Sequence, residues 1–352
     1  MEESKREGGQ LIINARAIVE VSWGIGNIVK VIPLLNAART YGIKVDVLWV
    51  PDYYPAASSL VDNVLLCENI YVGQDGKKEV IDRIKNGMYN FGLSCYYSRY
   101  LLNEQEVTDK IPIYYNKSGL EEQEDVANIK LLLKAIIDIT GKQMEISVPR
   151  ELTFNIRVFN ELNKYRDYVI ICPGAKKGWE LKLYGHWKEV IDILVGKGHK
   201  VAILGDGLDL ERNPWMSDYE LITVDIDRAF YIAMICKYMI STDTGLAQLR
   251  ALDGRHQMMI FGPTLVNKNI PVSNNCLILR NEEVDCIPCQ GKPDFANCKL
   301  NKCMDIGPEV VADMAIRILS GDGLVPKEAP KKKVEKSPDQ SEINVNKNYM
   351  EF

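Results

Sequence analysis

Tyr238-Met239-Ile240-Ser241-Thr242-Asp243-Thr244-Gly245-Leu246 is the stretch whose reading decides the fold. It is an apolar strand that ends in a short polar loop and runs at once into a helix reaching about Leu252. The same grammar recurs on both sides of it. Tyr168–Cys172 is an apolar strand ending at Pro173-Gly174-Ala175, and Val201–Leu204 ends in Gly205-Asp206-Gly207. Met258–Phe261 ends in Gly262-Pro263-Thr264. Between them Trp187, Val190, Ile191 and Leu194 recur at helical spacing, stopped by Gly196 and Gly198. Apolar strands alternating with helices indicate βαβ units and a parallel sheet. In such sheets ligands bind outside the carboxyl ends of the strands, where these loops lie.

Working outward, the N-terminal part repeats the architecture less clearly. An apolar start at Leu11–Asn14 precedes the Gly-rich turn Trp23-Gly24-Ile25-Gly26-Asn27. Ile28, Val31, Ile32 and Leu35 then mark a helix face, with Pro33 inside it, which predicts a bend or an irregular first turn. Lys44–Val50 alternates as a strand up to Pro51-Asp52, and Asp125–Ile139 is a second helical pattern. The expected organisation is one domain over 1–163 and a second over 164–320, the latter closed by a helix that starts at Pro308. A disordered polar tail, 321–352, carries Lys331-Lys332-Lys333.

Composition narrows the function. The chain has 352 residues and a net charge of −5, which argues against a general nucleic-acid binder. No apolar stretch reaches the roughly 18–20 residues of a membrane span. The best run, Ala229–Ile240, is short and contains Lys237. The charged start Met1–Gln10 lacks the apolar centre of an export signal, so a cytoplasmic protein is expected, peripheral at most to the inner membrane face. Nine cysteines then read as reduced thiols or metal ligands.

Each loop has a chemistry and a plainer alternative. At Asp243-Thr244-Gly245 the first helical turn presents N–H groups to an anion, while Asp243 accepts a sugar hydroxyl or merely caps the helix. Lys182, after Gly174 and Lys176-Lys177, suits a diphosphate whose charge grows as it departs, although surface lysines are ordinarily just solvated. Asp209, beyond a strand end, suits ribose hydroxyls. Cys286-x2-Cys289-x8-Cys298-x4-Cys303 has the spacing of a closed tetrahedral metal site, structural in role, with iron and zinc equally compatible. Two disulfides or unbound thiols are the other readings. Cys67, Cys95, Cys172, Cys236 and Cys276 sit singly in apolar strings, and His186, His199 and His256 have no partner at catalytic or metal spacing.

Taken in order, these residues resemble glycosyltransferase family 9, the heptosyltransferases, over about Leu11–Leu319. The matching set is Gly24-Ile25-Gly26-Asn27 with Pro33-Leu34-Leu35, then Pro173-Gly174-Ala175 with Lys182 and Trp187. It continues through Gly205 with Asp209, Ser241-Thr242-Asp243-Thr244-Gly245-Leu246, Phe261-Gly262-Pro263-Thr264 and the loop ending Cys303-Met304-Asp305-Ile306. Glu121–Leu133 is similar to the helix that ends the family's first domain.

The resemblance implies an α/β protein of two Rossmann-like domains facing across a cleft, the GT-B fold. It implies inverting transfer from a nucleotide sugar without a catalytic metal. Lys182 would contact the diphosphate and Asp209 the nucleoside, with Gly26 and Gly174 lining the site. Asp243, Thr244 and Gly245 would hold phosphate and sugar. Some protein-modifying relatives hold iron on four cysteines. A glycan, lipopolysaccharide or protein is the implied acceptor, and the oligomeric state stays open.

The sequence departs from the family's pattern twice. Asn27 stands where the family has the aspartate expected as general base, and an amide takes no proton from a hydroxyl. Glu20 or Asp52 then serves as base, or the chain is a non-catalytic binder of nucleotide sugars. Gln248 replaces a family histidine and keeps hydrogen bonding without charge. A sugar-nucleotide epimerase of similar fold ranks last, since that class would lack the four-cysteine loop.

Overall fold

The computed structural model describes residues 6–7, 10–22, 24–50, 67–95, 104–116, 124–142, 156–269, 275–290 and 292–321. Asp52 and residues 322–352 of the expected tail lie outside them. The described residues divide into two compact units, one ending at Ile156 and one beginning at Arg157.

In the first unit a short antiparallel ladder pairs β1 (Arg6–Glu7) with β2 (Gln10–Leu11). The sheet proper begins later than the apolar start suggests, at β3 (Arg16–Ser22), and continues with β4 (Lys44–Val50), β5 (Asn69–Val72), β6 (Phe91–Ser94) and β7 (Ile113–Tyr115). Its order is β5-β4-β3-β6-β7, every pair parallel. Strands buried on both faces are expected to be apolar throughout. In β4 the exception is Asp46, fully buried, which the far-off Arg16, Asn69 and Tyr89 satisfy at 2.8, 3.0 and 2.7 Å. The Pro33 expectation holds. One short helix, Ile25–Val29, stops, and a second, Ile32–Thr40, restarts with the proline in its first turn, where its missing N–H costs no hydrogen bond.

The second unit is a six-stranded sheet ordered β10-β9-β8-β11-β12-β13 and again wholly parallel. Its strands are β8 (Val169–Cys172), β9 (Val201–Leu204), β10 (Leu221–Ile222), β11 (Tyr238–Thr242), β12 (Gln257–Phe261) and β13 (Cys276–Arg280). Helices Trp187–Gly196 and Pro308–Leu319 pack together on one face. Trp187, Val190, Ile191 and Leu194 share a core there with Val311, Ala312 and Ala315. The apolar run from Ala229 resolves into a helix, Ile226–Ile235, followed by β11. Among the described residues no helix is long and apolar enough to cross a membrane. Both units are thus α/β, as the strand–turn–helix order predicts.

One buried charge ties this unit's helices to its sheet. Arg250, 1% exposed in helix Gly245–Leu252, donates to the carbonyls of Ala233 and Cys236 at the end of helix Ile226–Ile235. It also donates to Lys237 O at 3.3 Å and to His256 O at 2.9 Å. These are the orphan carbonyls of a helix end and of two strand entries, and a planar guanidinium fork reaches several of them at once. Arg250→Ala leaves a cavity and several dry carbonyls unpaired. It is expected to cost about 3 kcal/mol or more in urea unfolding, whereas a loss below about 0.5 kcal/mol, the scale of a surface substitution, would refute the tie.

Candidate functional site

Both sheets reverse their strand order at one point, between β3 and β6 in the first unit and between β8 and β11 in the second. At such a point the connections leave in opposite directions and open a crevice beyond the strand ends. In the second unit the two ends are tied together, Thr242 Oγ1 donating to Gly174 O at 3.2 Å.

Asp243 follows β11 directly and is 5% exposed. Its carboxylate accepts from Gln248 Nε2 at 3.1 Å and Asn269 Nδ2 at 3.2 Å, and pairs with Lys182 Nζ at 3.5 Å. The cap of helix Gly245–Leu252 is Thr244, whose hydroxyl accepts from Ala247 N at 3.3 Å. The capping role that was open for Asp243 therefore falls to its neighbour. The Gln248 amide donates to Asp243, while its Oε1 is buried with no protein partner among the described residues. Lys182 and the N-terminus of this helix thus bring a cation and a set of backbone donors to the same strand end, which is an anion-binding arrangement.

The loop from Pro173 to Lys182 is fastened to the helix Gly207–Arg212. Arg212 donates to Ala175 O at 2.8 Å and pairs with Glu180 at 2.6 Å. The Gly178 N–H, then Arg212 and Lys177, hold the Glu180 carboxyl below its ordinary range. Asp209 lies in that helix's first turn and forms a reciprocal cap with Asp206. Its carboxylate lies over Gly174, where a Cβ would stand 2.5 Å from Oδ2, so position 174 accepts only glycine without displacing it. Burial pushes the Asp209 carboxyl above its ordinary value.

In the first unit Glu20 lies opposite Ser94 across β3 and β6, at the reversal point. It is fully buried and accepts from Ser94 Oγ at 3.1 Å. Asn27 and Gly26 lie in helix Ile25–Val29, the Asn27 N–H donating to Gly24 O at 3.0 Å and Gly26 O accepting from Lys30 N at 3.1 Å.

The cysteine-rich loop docks on the end of β12. The Cys289 and Gln290 N–H groups donate to Pro263 O at 3.1 and 3.0 Å, and Met304 and Cys303 press against Gly262. Burial raises the Cys303 thiol to about 11, with Cys289, Cys298 and Cys286 pushing the same way. All four thiols are free, so the alternative of two disulfides is not what the structure shows. The donor set fits a metal in kind, four thiols within one loop, but not in placement. Among the described residues no three His, Cys, Asp or Glu side chains are grouped closely enough to hold an ion.

The structure therefore brings Gly174, Lys182, Asp209, Asp243, Thr244, Gly245 and Gln248 to the strand ends of the second unit. Glu20, Gly26 and Asn27 lie in the first, Glu20 on β3 and the other two in helix Ile25–Val29. Asn269 was not foreseen. It lies in a four-residue helix, Val266–Asn269, with no motif around it, and only folding carries it to Asp243.

Comparison with known proteins bears on the family and the fold. The family described as glycosyltransferase family 9 (heptosyltransferase) matches residues 121–300, just over half of the chain. Lipopolysaccharide heptosyltransferase 2 of Escherichia coli (strain K12) is 22% identical over 206 residues, 51% of this chain and 55% of that protein. The chain spans about half the length of the curated relatives it matches. Among solved structures, E. coli ADP-heptose lipopolysaccharide heptosyltransferase II superposes with a TM-score of 0.62 at 16% identity, over 88% of this chain and all of that one. The iron-containing dodecameric glycosyltransferase TibC from enterotoxigenic E. coli H10407 gives 0.52 at 12% identity, over 89% of this chain and 78% of that one. At these identities the structural likenesses establish the fold.

Asp209 provides a check on the site's electrostatics. Its folded-state pKa lies above the unfolded value, so its contribution to stability is full below the ordinary carboxylate range and lost as pH rises through the raised value. Asn at 209 stays neutral and keeps one acceptor for the Asp206 N–H. Asp209→Asn is therefore expected to gain stability relative to the native chain as pH rises from the carboxylate range toward neutrality. Melting temperatures of the two proteins across that range measure it, and a pH-independent difference contradicts the buried-charge assignment.

Proposed function

The chain belongs to glycosyltransferase family 9, and from that premise we propose that it moves a sugar, heptose being the family's precedent, from a nucleotide-activated donor to an acceptor hydroxyl. The observation that carries this reading is the cluster of Lys182, Asp243 and the helix start Thr244-Gly245 at the strand-order reversal of the second sheet. In the proposed organisation, 164–320 is the nucleotide-sugar domain, 1–163 the acceptor domain and 321–352 a tail.

In this mechanism the diphosphate lies between Lys182 and the N–H groups of the helix start. It gains charge as the sugar–oxygen bond breaks, and fixed positive groups stabilise it more in the transition state than in the ground state. Asp243, with Gln248 and Asn269 as further donors, acts by holding Lys182 in place. Asp209 faces the ribose, and a ligand hydroxyl donating to it offsets its burial. Gly174 makes room for both. Transfer inverts the anomeric centre, and no metal takes part in the step.

The proton of the acceptor hydroxyl needs a base, and Asn27 is not one. Glu20, at the first sheet's own reversal point, and Asp52 are the carboxylates proposed for it. The second reading, a nucleotide-sugar binder that has lost transfer, is favoured by Asn27 itself. The acceptor class proposed is a glycan, lipopolysaccharide or protein, reached from the cytoplasmic side. The dodecameric TibC gives a precedent for oligomers.

The four-cysteine loop is proposed to be structural. Its spacing supports one iron or zinc held by Cys286, Cys289, Cys298 and Cys303, and no chemical step is routed through it. Elemental analysis of protein purified without added metal is expected to find about one such ion per chain, the occupancy of a closed four-thiolate site. Finding none, with four thiols titrating freely under native conditions, removes the metal from the proposal.

Donor binding tests the rest. A charged hydrogen bond to phosphate is worth roughly 1.5–3 kcal/mol, so Lys182→Ala is expected to weaken donor binding about tenfold or more by calorimetry. Asp243→Ala is expected to lower transfer strongly in a chain that stays folded. Ordinary rates in both variants would place the donor elsewhere. Asn27→Asp separates the two readings. It raises transfer if the base is simply missing and changes little if Glu20 or Asp52 has taken over, in which case removing that carboxylate abolishes transfer.

A further inference from the structure

A lysine head group sits at the end of a flexible four-carbon stem, so its position has to be fixed by its surroundings. Asp243 holds Lys182 from one side. On another side the Trp179 ring centroid lies 5.5 Å from Lys182 Nζ, within range of a cation–ring attraction. The other neighbour of that ring is Phe295, with centroids 5.3 Å apart and planes tilted by 54°. Phe295 belongs to the short helix Pro293–Asn297, which lies between Cys289 and Cys298.

The cysteine-rich loop also reaches the other side of Lys182. Asn301, in the left-handed region at φ 46°, donates its side-chain amide to Leu183 O at 3.2 Å. One residue further, Tyr184 OH donates to Ile306 O at 2.7 Å. The segment 179–184 is thus held at its start by Phe295 and at its end by Asn301 and Ile306. The loop itself is pinned to the sheet through Pro263 O.

We infer that the cysteine-rich loop is a working part of the donor site, in which Phe295 acts through Trp179 as a positioning residue for Lys182. This rests on the donor reading proposed above and extends it. The four cysteines then do more than keep a loop folded: whatever fixes the loop also fixes the cation that meets the diphosphate. No ligand contact is required of Phe295 or Asn301.

The test is a double-mutant cycle read by calorimetry on the full chain, with ADP as probe and UDP and GDP in parallel. Phe295→Ala is expected to weaken nucleotide binding about tenfold, the scale of a partly desolvated cation–ring contact, and Phe295→Tyr to restore it. In a Lys182→Ala background Phe295→Ala should add nothing, because the two act through one contact. Losses that simply add, or a Phe295→Ala chain that binds like the native one, overturn the inference. Should Phe295→Ala not fold, Trp179→Leu takes its place in the same cycle with the same two outcomes. A ligand-free measurement keeps this apart from the donor reading. The rate at which an amine reagent labels Lys182, followed by mass spectrometry, should rise in Phe295→Ala. An unchanged labelling rate sinks the clamp. A native chain that binds none of the three nucleotides sinks the donor reading, and the labelling rate still decides the clamp.

Discussion

A single buried carboxylate organises the second unit. Asp243 has given up nearly all of its hydration, and burying an unpaired charge is prohibitively unfavourable. It persists there because Gln248, Asn269 and Lys182, from three separate segments, supply donors. The requirement works in both directions. Asp243 needs those donors, and the helix after β11, the loop after β8 and the short helix after β12 are each located by serving it. The strand-order reversal provides the crevice, and this network determines which groups line it.

Arg250 plays the complementary part at the far end of the same helix. The N-terminus of Gly245–Leu252 faces the crevice, while its last turn carries a cation buried among carbonyls. A positive charge near a helix C-terminus is favourable in itself. The helix is therefore set at both ends, which suits an element meant to present N–H groups to an anion without rearranging.

Legibility in the sequence followed the range of the interactions. Lys44–Val50, the Pro33 break and the four strand-end loops were readable because apolar periodicity and proline or glycine punctuation are local signals. The strands β5 to β7 were not marked out: Asn69 in β5, Gly92 and Ser94 in β6 and the three-residue length of β7 deny them the unbroken apolar run that marks the equally short β8 and β9. Asp46 looks out of place in a strand until Arg16, Asn69 and Tyr89 converge on it. The same holds at the site. Asp209 and Asp243 lie near glycines just past strand ends, and Lys182 follows the Pro173-Gly174-Ala175 turn, so local sequence points to all three. Asn269, Phe295 and Asn301 have ordinary neighbours in sequence and gain meaning only through contacts made after folding.

The bridge made by Arg212 has a consequence for how such a site diverges. One guanidinium joins the helix that carries Asp209 to the loop that carries Lys182. In the proposed reading the first element meets the nucleoside and the second the diphosphate. Rebuilding the helix to favour another base would drag the phosphate loop with it, and the shared phosphate chemistry would suffer. New donor preferences are then gained more easily by exchanging side chains on a fixed frame than by moving the frame. On that reading, a lineage that retains this bridge is held to one geometry of phosphate binding while remaining free to sample many sugars.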